Sequence, residues 1–364
     1  ITSGNIRPSH ASLVRSFGEK RALDIQAEGK EAREDLRRFI TEEKIDCDYQ
    51  LAGRFSGAMT EKEYEASARG AEALARALGI ESYAVPRSEQ HRYIGTDFYR
   101  GGNVRMDIGG LHPAKFHAGM LRVAQAAGAD VQDGTAVLST EQSGKGFVVT
   151  TSRGAVRAGS VLSCTNGYTD ASDKWLRRRL VPIRSRIVAT EALPADLMAR
   201  LMPPRMMYSD GRELSYYYRP SPDGTRILFG GRDGTVAGDP AWPTDHLKIE
   251  LTRIFPELAQ TRLSHSWFGY VAMHRDMIPR IFRKDGVVYA TGYCGSGVVW
   301  ARWLGMKAAQ QMLGNEEAGK TAFDFRPPRC IPFFNGSPWF MPLVYAKMKA
   351  SDRRLMRGRD AGKN

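Results

Sequence analysis

The chain has 364 residues, 42% hydrophobic and 26% charged, which is long enough for about two domains and excludes a disordered or fibrous composition. No apolar run approaches the roughly 18–20 residues that cross a bilayer. The net charge of +13 raises nucleic acid, a membrane surface or an anionic ligand as partners, but no recognition-helix, zinc-finger or RNP pattern accompanies it.

Taken in order, residues 16–45 are charged with spaced apolar positions (Leu23, Leu36, Phe39, Ile40) and predict one long helix. Residues 60–78 predict a second, with Tyr64, Ala68, Ala71, Leu74 and Leu78 on one side and Glu61, Glu63 and Glu65 complementing the dipole at its start. Gly79 and Pro86 end it. Both read as core-packing elements. Residues 113–127 predict a third helix, with Gly128 suited to its C-cap. Short strands follow around 130–139 and 146–151, and a further one over 156–164 ends in Thr165-Asn166-Gly167. Residues 180–271 are strand-rich, interrupted by a helix at 245–254, and fit a largely antiparallel sheet. The basic tail after Lys347 predicts a helix or a frayed end, either solvated or in peripheral contact with a membrane.

Residues 286–314 organise the rest. Val287, Val288 and Tyr289 predict a short strand, Gly292-Tyr293-Cys294-Gly295-Ser296-Gly297 a turn, and Val299, Trp303, Met306, Ala309 and Met312 one face of a helix. Such a turn sets free backbone N–H groups and the positive end of a helix dipole beside whatever occupies it, which suits an anion-like group. A plain βα connection with glycines fitted for packing is the alternative. The four cysteines, Cys47, Cys164, Cys294 and Cys330, lack metal-type spacing and point to reduced thiols in a cytoplasmic protein.

Other stretches join this one: Gly109-Gly110-Leu111-His112-Pro113, Tyr216-Tyr217-Tyr218-Arg219-Pro220, Phe229-Gly230-Gly231-Arg232, Ser266-Trp267-Phe268-Gly269-Tyr270, and Pro338-Trp339-Phe340-Met341-Pro342-Leu343. In this order they resemble the FAD-dependent oxidoreductases of the D-amino-acid oxidase type, with the bacterial gamma-glutamylputrescine oxidoreductases as nearest look-alikes. The resemblance implies an α/β plus α+β architecture. Residues 1–45, 103–170 and 272–330 would form an incomplete Rossmann-type FAD-binding domain, 46–102 and 171–271 a largely antiparallel substrate domain, and 331–364 a tail. The family's opening strand, G-x-G-x-x-G loop and helix are not in the sequence, and Ile1-Thr2-Ser3-Gly4-Asn5 resembles a segment that follows them. The expectation is therefore a truncated chain with an open cleft beside residues 292–297, an unpaired parallel strand edge nearby and weak affinity for FAD.

The same resemblance implies FAD as cofactor, no metal, and oxidation of a small-molecule amine by hydride transfer to flavin N5. Gly292, Tyr293, Gly295, Ser296, Gly297 and Val298 would meet the flavin edge, with Thr165, Asn166 and Gly167 near the dinucleotide and the backbone of Val137 at the adenine side. Arg232, Trp267, Met273, His274 and Tyr218 are the catalytic or pocket candidates, with Tyr216 beside them. From the sequence alone Val137 reads first as a plain core valine, and His274 as a satisfied structural histidine. Cys294 reads as a packed small residue, a flavin tether, or a thiol activated by the helix N-terminus. In the glycine-oxidase pattern a carboxylate-binding arginine stands two residues after the glycine matching Gly269. Val271 occupies that place, which turns the expectation toward an amine without an adjacent α-carboxylate. A glycine-, sarcosine- or D-amino-acid-type enzyme of the same fold is the first alternative, and a non-catalytic remnant the second.

Overall fold

The computed structural model describes residues 1–232 and 244–361. The expected single helix over 16–45 is two: α1 (His10–Phe17) and α2 (Glu19–Glu42). Gly18 between them has φ 81°, a left-handed conformation that a continuous helix cannot contain. Helix α3 (Glu61–Leu78) has a reciprocal cap. Thr60 Oγ1 accepts from the Glu63 N–H at 3.2 Å, and Glu63 Oε2 accepts from the Met59 N–H at 2.8 Å. Left-handed Gly79 closes its far end. Helix α4 (Pro113–Ala126) follows as predicted, then short α5 (Lys174–Arg177) and α6 (Ala195–Leu201), and α7 (Thr244–Ile254). The chain closes with α8 (Gly297–Met312), α9 (Glu316–Gly319) and α10 (Met341–Ala361), the last giving the basic tail a helix of 21 residues.

The strands in chain order are β1 (Arg54–Gly57), β2 (Ser82–Val85), β3 (Gly102–Arg105), β4 (Val137–Ser143), β5 (Gly146–Thr151), β6 (Gly154–Ala158) and β7 (Leu162–Ser163). They continue with β8 (Val181–Thr190), β9 (Met207–Asp210), β10 (Tyr217–Pro220), β11 (Ile227–Arg232), β12 (Leu263–Met273), β13 (Arg280–Lys284) and β14 (Val287–Thr291). Among the described residues, eight form one sheet in the order β12-β8-β11-β10-β9-β1-β3-β2, antiparallel except where β1 runs beside β9. Residues 103–105 belong to this sheet through β3, so it reaches slightly past the boundary read from the sequence. The predicted strand over 156–164 is split into β6 and β7, which lie in different sheets. Strands β4, β5 and β6 form an antiparallel meander.

The third sheet positions the site. Its order is β13-β14-β7, with β14 antiparallel to β13 and parallel to β7. Among the described residues the outer edge of β7 pairs with no strand. Helices α2 and α8 pack on this unit through Ile25, Ala32, Leu36, Val299, Trp300 and Leu304. Buried Glu28 fastens them: its Oε1 accepts from Trp303 Nε1 at 2.7 Å and Thr321 Oγ1 at 2.5 Å, and its Oε2 from the Ala322 N–H at 2.5 Å. Glu28→Ala strands one buried and two half-buried donors and should lower stability to urea by about 2–4 kcal/mol. A loss under about 1 kcal/mol would show that water replaces the carboxylate without cost.

Candidate active site

Strand β14 enters the turn fully buried and α8 leaves it, so the residues between carry the backbone through a sharp reversal. Gly292 has φ 76°, and an added Cβ would lie 2.7 Å from His274 Nε2. Asn166, just past β7, accepts from the Gly292 N–H at 3.1 Å through Oδ1, tying the ends of the two parallel strands together. Gly167 sits where a Cβ would meet the Tyr270 carbonyl at 2.6 Å, which binds the same corner to β12. Tyr293 is buried and donates to the Ala290 carbonyl at 2.9 Å. Thr165 pairs with Thr169, Oγ1 to Oγ1, at 2.8 Å.

Beyond Cys294 the turn opens. Gly295 is exposed, has φ 101°, and a Cβ added there would meet no atom within 4 Å. The N–H groups of Val299 and Trp300 are spent inside the helix, since both donate to the Ser296 carbonyl at 3.3 and 3.2 Å. Those of Gly295, Gly297 and Val298 donate to no carbonyl among the described residues. Three unspent donors therefore gather at the positive end of a 16-residue helix. The start of the chain lies against the same place. Ser3 Oγ is 3.3 Å from Ser296 Oγ, Gly4 packs on Val299 and the Gly29 carbonyl, and Trp300 Nε1 donates to the Asn5 carbonyl at 3.3 Å.

Cys294 is not an activated thiol. Burial pushes its pKa up to about 12, against the nearby arginine charges, and it packs with Val181, Ile183, Met273, Phe334 and Met341. His274 is likewise withdrawn: 3% exposed, its ring lies behind Gly292 with Nδ1 facing Arg280 Nη2 at 3.5 Å. Burial, then the Arg280 charge, lowers its pKa from 6.5 to about 4, so the imidazole is neutral and shapes the turn rather than meeting a substrate. The unfolded chain takes up this proton below about pH 6.5 and the folded chain only below about 4. The associated stability is thus complete above pH 6.5 and is lost as pH falls toward 4. His274→Gln should flatten that decline in urea melts, by up to about 3 kcal/mol at the acid end. An unchanged acid slope would show that the ring is protonated in the folded state.

The large sheet presents one face to this turn. Cross-strand pairing puts Tyr217 beside Gly230, Gly230 beside Ile187, Arg232 and Gly269 beside Ser185, and Val271 beside Ile183, all on one side. Ile183 and Val271 pack in the cluster that contains Cys294, so this side faces the turn. Trp267 shares it and is 44% exposed, while Met273 is buried against Cys294. Arg232 is half-buried, and burial lowers its pKa. Tyr218, by contrast, points the other way. It is buried in the sheet's core, stacks on Tyr208, and shares a 2.9 Å hydroxyl contact with Tyr99. Tyr216 also faces that core. The residue that reaches the site side is Tyr217, whose hydroxyl is 2.7 Å from Ser185 Oγ. Val137 stands exposed at the start of β4, in the meander.

Among the described residues no cluster of His, Cys, Asp and Glu could hold a metal, and no helix is long and apolar enough to cross a membrane. All four cysteines are free thiols.

Residues 2–311 match the family model described as FAD dependent oxidoreductase. A protein named probable oxidoreductase OrdL from Rhizobium meliloti is 30% identical over 309 residues, covering 83% of this chain and 69% of the relative. The gamma-glutamylputrescine oxidoreductase of Escherichia coli is 27% identical, covering 84% of this chain and 71% of its own. In fold, the chain is similar to glycine oxidase from Geobacillus kaustophilus, with TM-score 0.69 and 19% identity over 90% of this chain and 85% of that one. L-proline dehydrogenase from P. horikoshii gives TM-score 0.69 at 15% identity, over 94% and 87%. The site residues fit a flavin edge: the three unspent N–H groups suit its electron-rich side, and the bare Gly295 leaves the approach clear.

Proposed function

The chain belongs to the family of FAD-dependent oxidoreductases, and on that premise we propose that it oxidises an amine lacking a carboxylate on the reacting carbon, as a gamma-glutamylputrescine-like substrate does. FAD, when bound, supplies the hydride acceptor at N5, and the amine leaves as the imine with loss of one proton. The turn residues do the holding. The N–H groups of Gly295, Gly297 and Val298 would stabilise negative charge on the reduced ring's N1 and C2-carbonyl side, in a place whose dipoles are already oriented. Asn166 and Gly167 fix the turn from below, and His274 fixes it from behind. Tyr217, Trp267 and Val271 form the wall that the substrate would meet, with Met273 and Cys294 excluding water beside it.

The observation that carries this reading is the apolar packing of Val271 with Ile183 and Cys294, where a guanidinium would otherwise clamp an α-carboxylate. Anaerobic mixing of the flavin-loaded enzyme with primary or N-substituted amines tests it. Loss of the flavin's visible absorption is the expected result. Bleaching by glycine or sarcosine, but by no such amine, would transfer the assignment to an amino-acid oxidase of the same fold.

A further inference from the structure

Two arginines near the turn have no acidic partner among the described residues. Arg232, at the end of β11, reaches Met348 Sδ at 3.5 Å through Nη1, and a thioether is a weak acceptor. Arg7 follows the segment that lies against Ser296, and burial, then the charge of Arg232, lowers its pKa to about 10. Neither forms an ion pair among the described residues. Among the described residues the carboxylates whose charge acts on Arg232 are Asp352 and Glu213, and Asp352 is engaged with the N–H groups of Glu213 and Leu214 at 2.8 and 3.2 Å. The thiol of Cys294 is within electrostatic reach of both guanidiniums and stays neutral.

Helix α10 makes the wall of this place. Met341, Val344 and Tyr345 pack in the cluster of Cys294 and Val271, and Met348 touches Arg232. Farther along, Leu355 and Met356 pack on the core of the large sheet, and Arg100 Nη2 donates to the Arg359 carbonyl at 2.8 Å. The helix is thus fastened along its length, and it lies outside the residues that match the family model. A half-buried cation without a counterion is costly, and an incoming anion relieves the cost.

We infer that Arg232 and Arg7, walled by Tyr345 and Met348 of α10, form a subsite for an anionic group, and that the group is a carboxylate carried by the substrate away from its reacting carbon. The inference rests on the flavin-edge reading of the adjacent turn for its role in catalysis, but not for the binding itself.

Calorimetric titration of glutarate into the protein tests it without reference to turnover. Arg232→Met should weaken binding by about tenfold or more, as expected for the loss of a charge-assisted hydrogen bond, and Arg7→Met by less. Met348→Glu would set a carboxylate beside Arg232. It should abolish glutarate binding and raise the melting temperature, whereas Met348→Gln should do neither. Gly297→Val should keep glutarate binding, so failure of the turn and failure of the subsite show separately. Undiminished glutarate affinity in Met348→Glu, or no measurable binding to the unmodified protein, overturns the inference even if the Arg232 variant misfolds.

Discussion

Gly297→Val should lose its flavin and keep its fold. A Cβ at this position would meet Tyr293 carbons at 3.7 and 3.9 Å, ordinary van der Waals contact, and its φ is not left-handed. The protein therefore has room for the side chain, and what it would obstruct is the approach to the N–H groups of Gly297 and Val298. A loss of about 3 kcal/mol in binding is roughly 100-fold in affinity. Gly292→Ala makes the contrasting case. Its φ of 76° and the 2.7 Å approach to His274 would destabilise the fold by about 2–5 kcal/mol before any ligand is added. Flavin occupancy by absorbance, set beside thermal melts of both variants, separates the two effects. A Gly297→Val protein with full flavin occupancy would remove the turn from the cofactor site.

Substrate choice is the second large effect. With Val271 packed on Ile183 and Cys294, kcat/KM for ω-amines or N-substituted polyamines should exceed that for glycine, sarcosine or D-alanine by on the order of 100-fold, since a site that cannot pair a carboxylate leaves that charge desolvated. Steady-state turnover on such a panel decides the point. If the small amino acids are preferred, another arginine clamps their carboxylate beside the reacting carbon, and the amino-acid oxidase assignment replaces the amine one.

The strand, turn and helix at 286–314 were legible because their signals are local: a β-branched run, closely spaced glycines, and an apolar helical face. The same holds for α3, with its caps at Thr60 and Gly79. What the sequence concealed depends on partners distant along the chain. Three consecutive tyrosines, 216–218, carry no alternation, so only the pairing of Tyr217 with Gly230 shows which ring faces the site and why Tyr218 does not. Ser3 meets Ser296 across nearly the whole chain, and Gly4 is held by Val299 and Gly29, contacts that no periodicity announces. Cys294 follows the same logic: proximity to a helix start favours the thiolate, but burial from several elements outweighs it. The basic composition of α10 masked an inward stripe of Met341, Tyr345, Met348, Asp352 and Leu355, which becomes visible only when the helix lies across both cores.

Whether the turn at 292–297 receives the flavin edge is decided by hydrogen–deuterium exchange of the peptide spanning residues 292–300, with and without saturating FAD. Three N–H groups without a carbonyl partner among the described residues should become protected when the flavin edge reaches them, while α10 and the meander change little. Bound flavin with no added protection in that peptide would place the cofactor's electron-rich edge elsewhere and leave the turn as a plain βα connection.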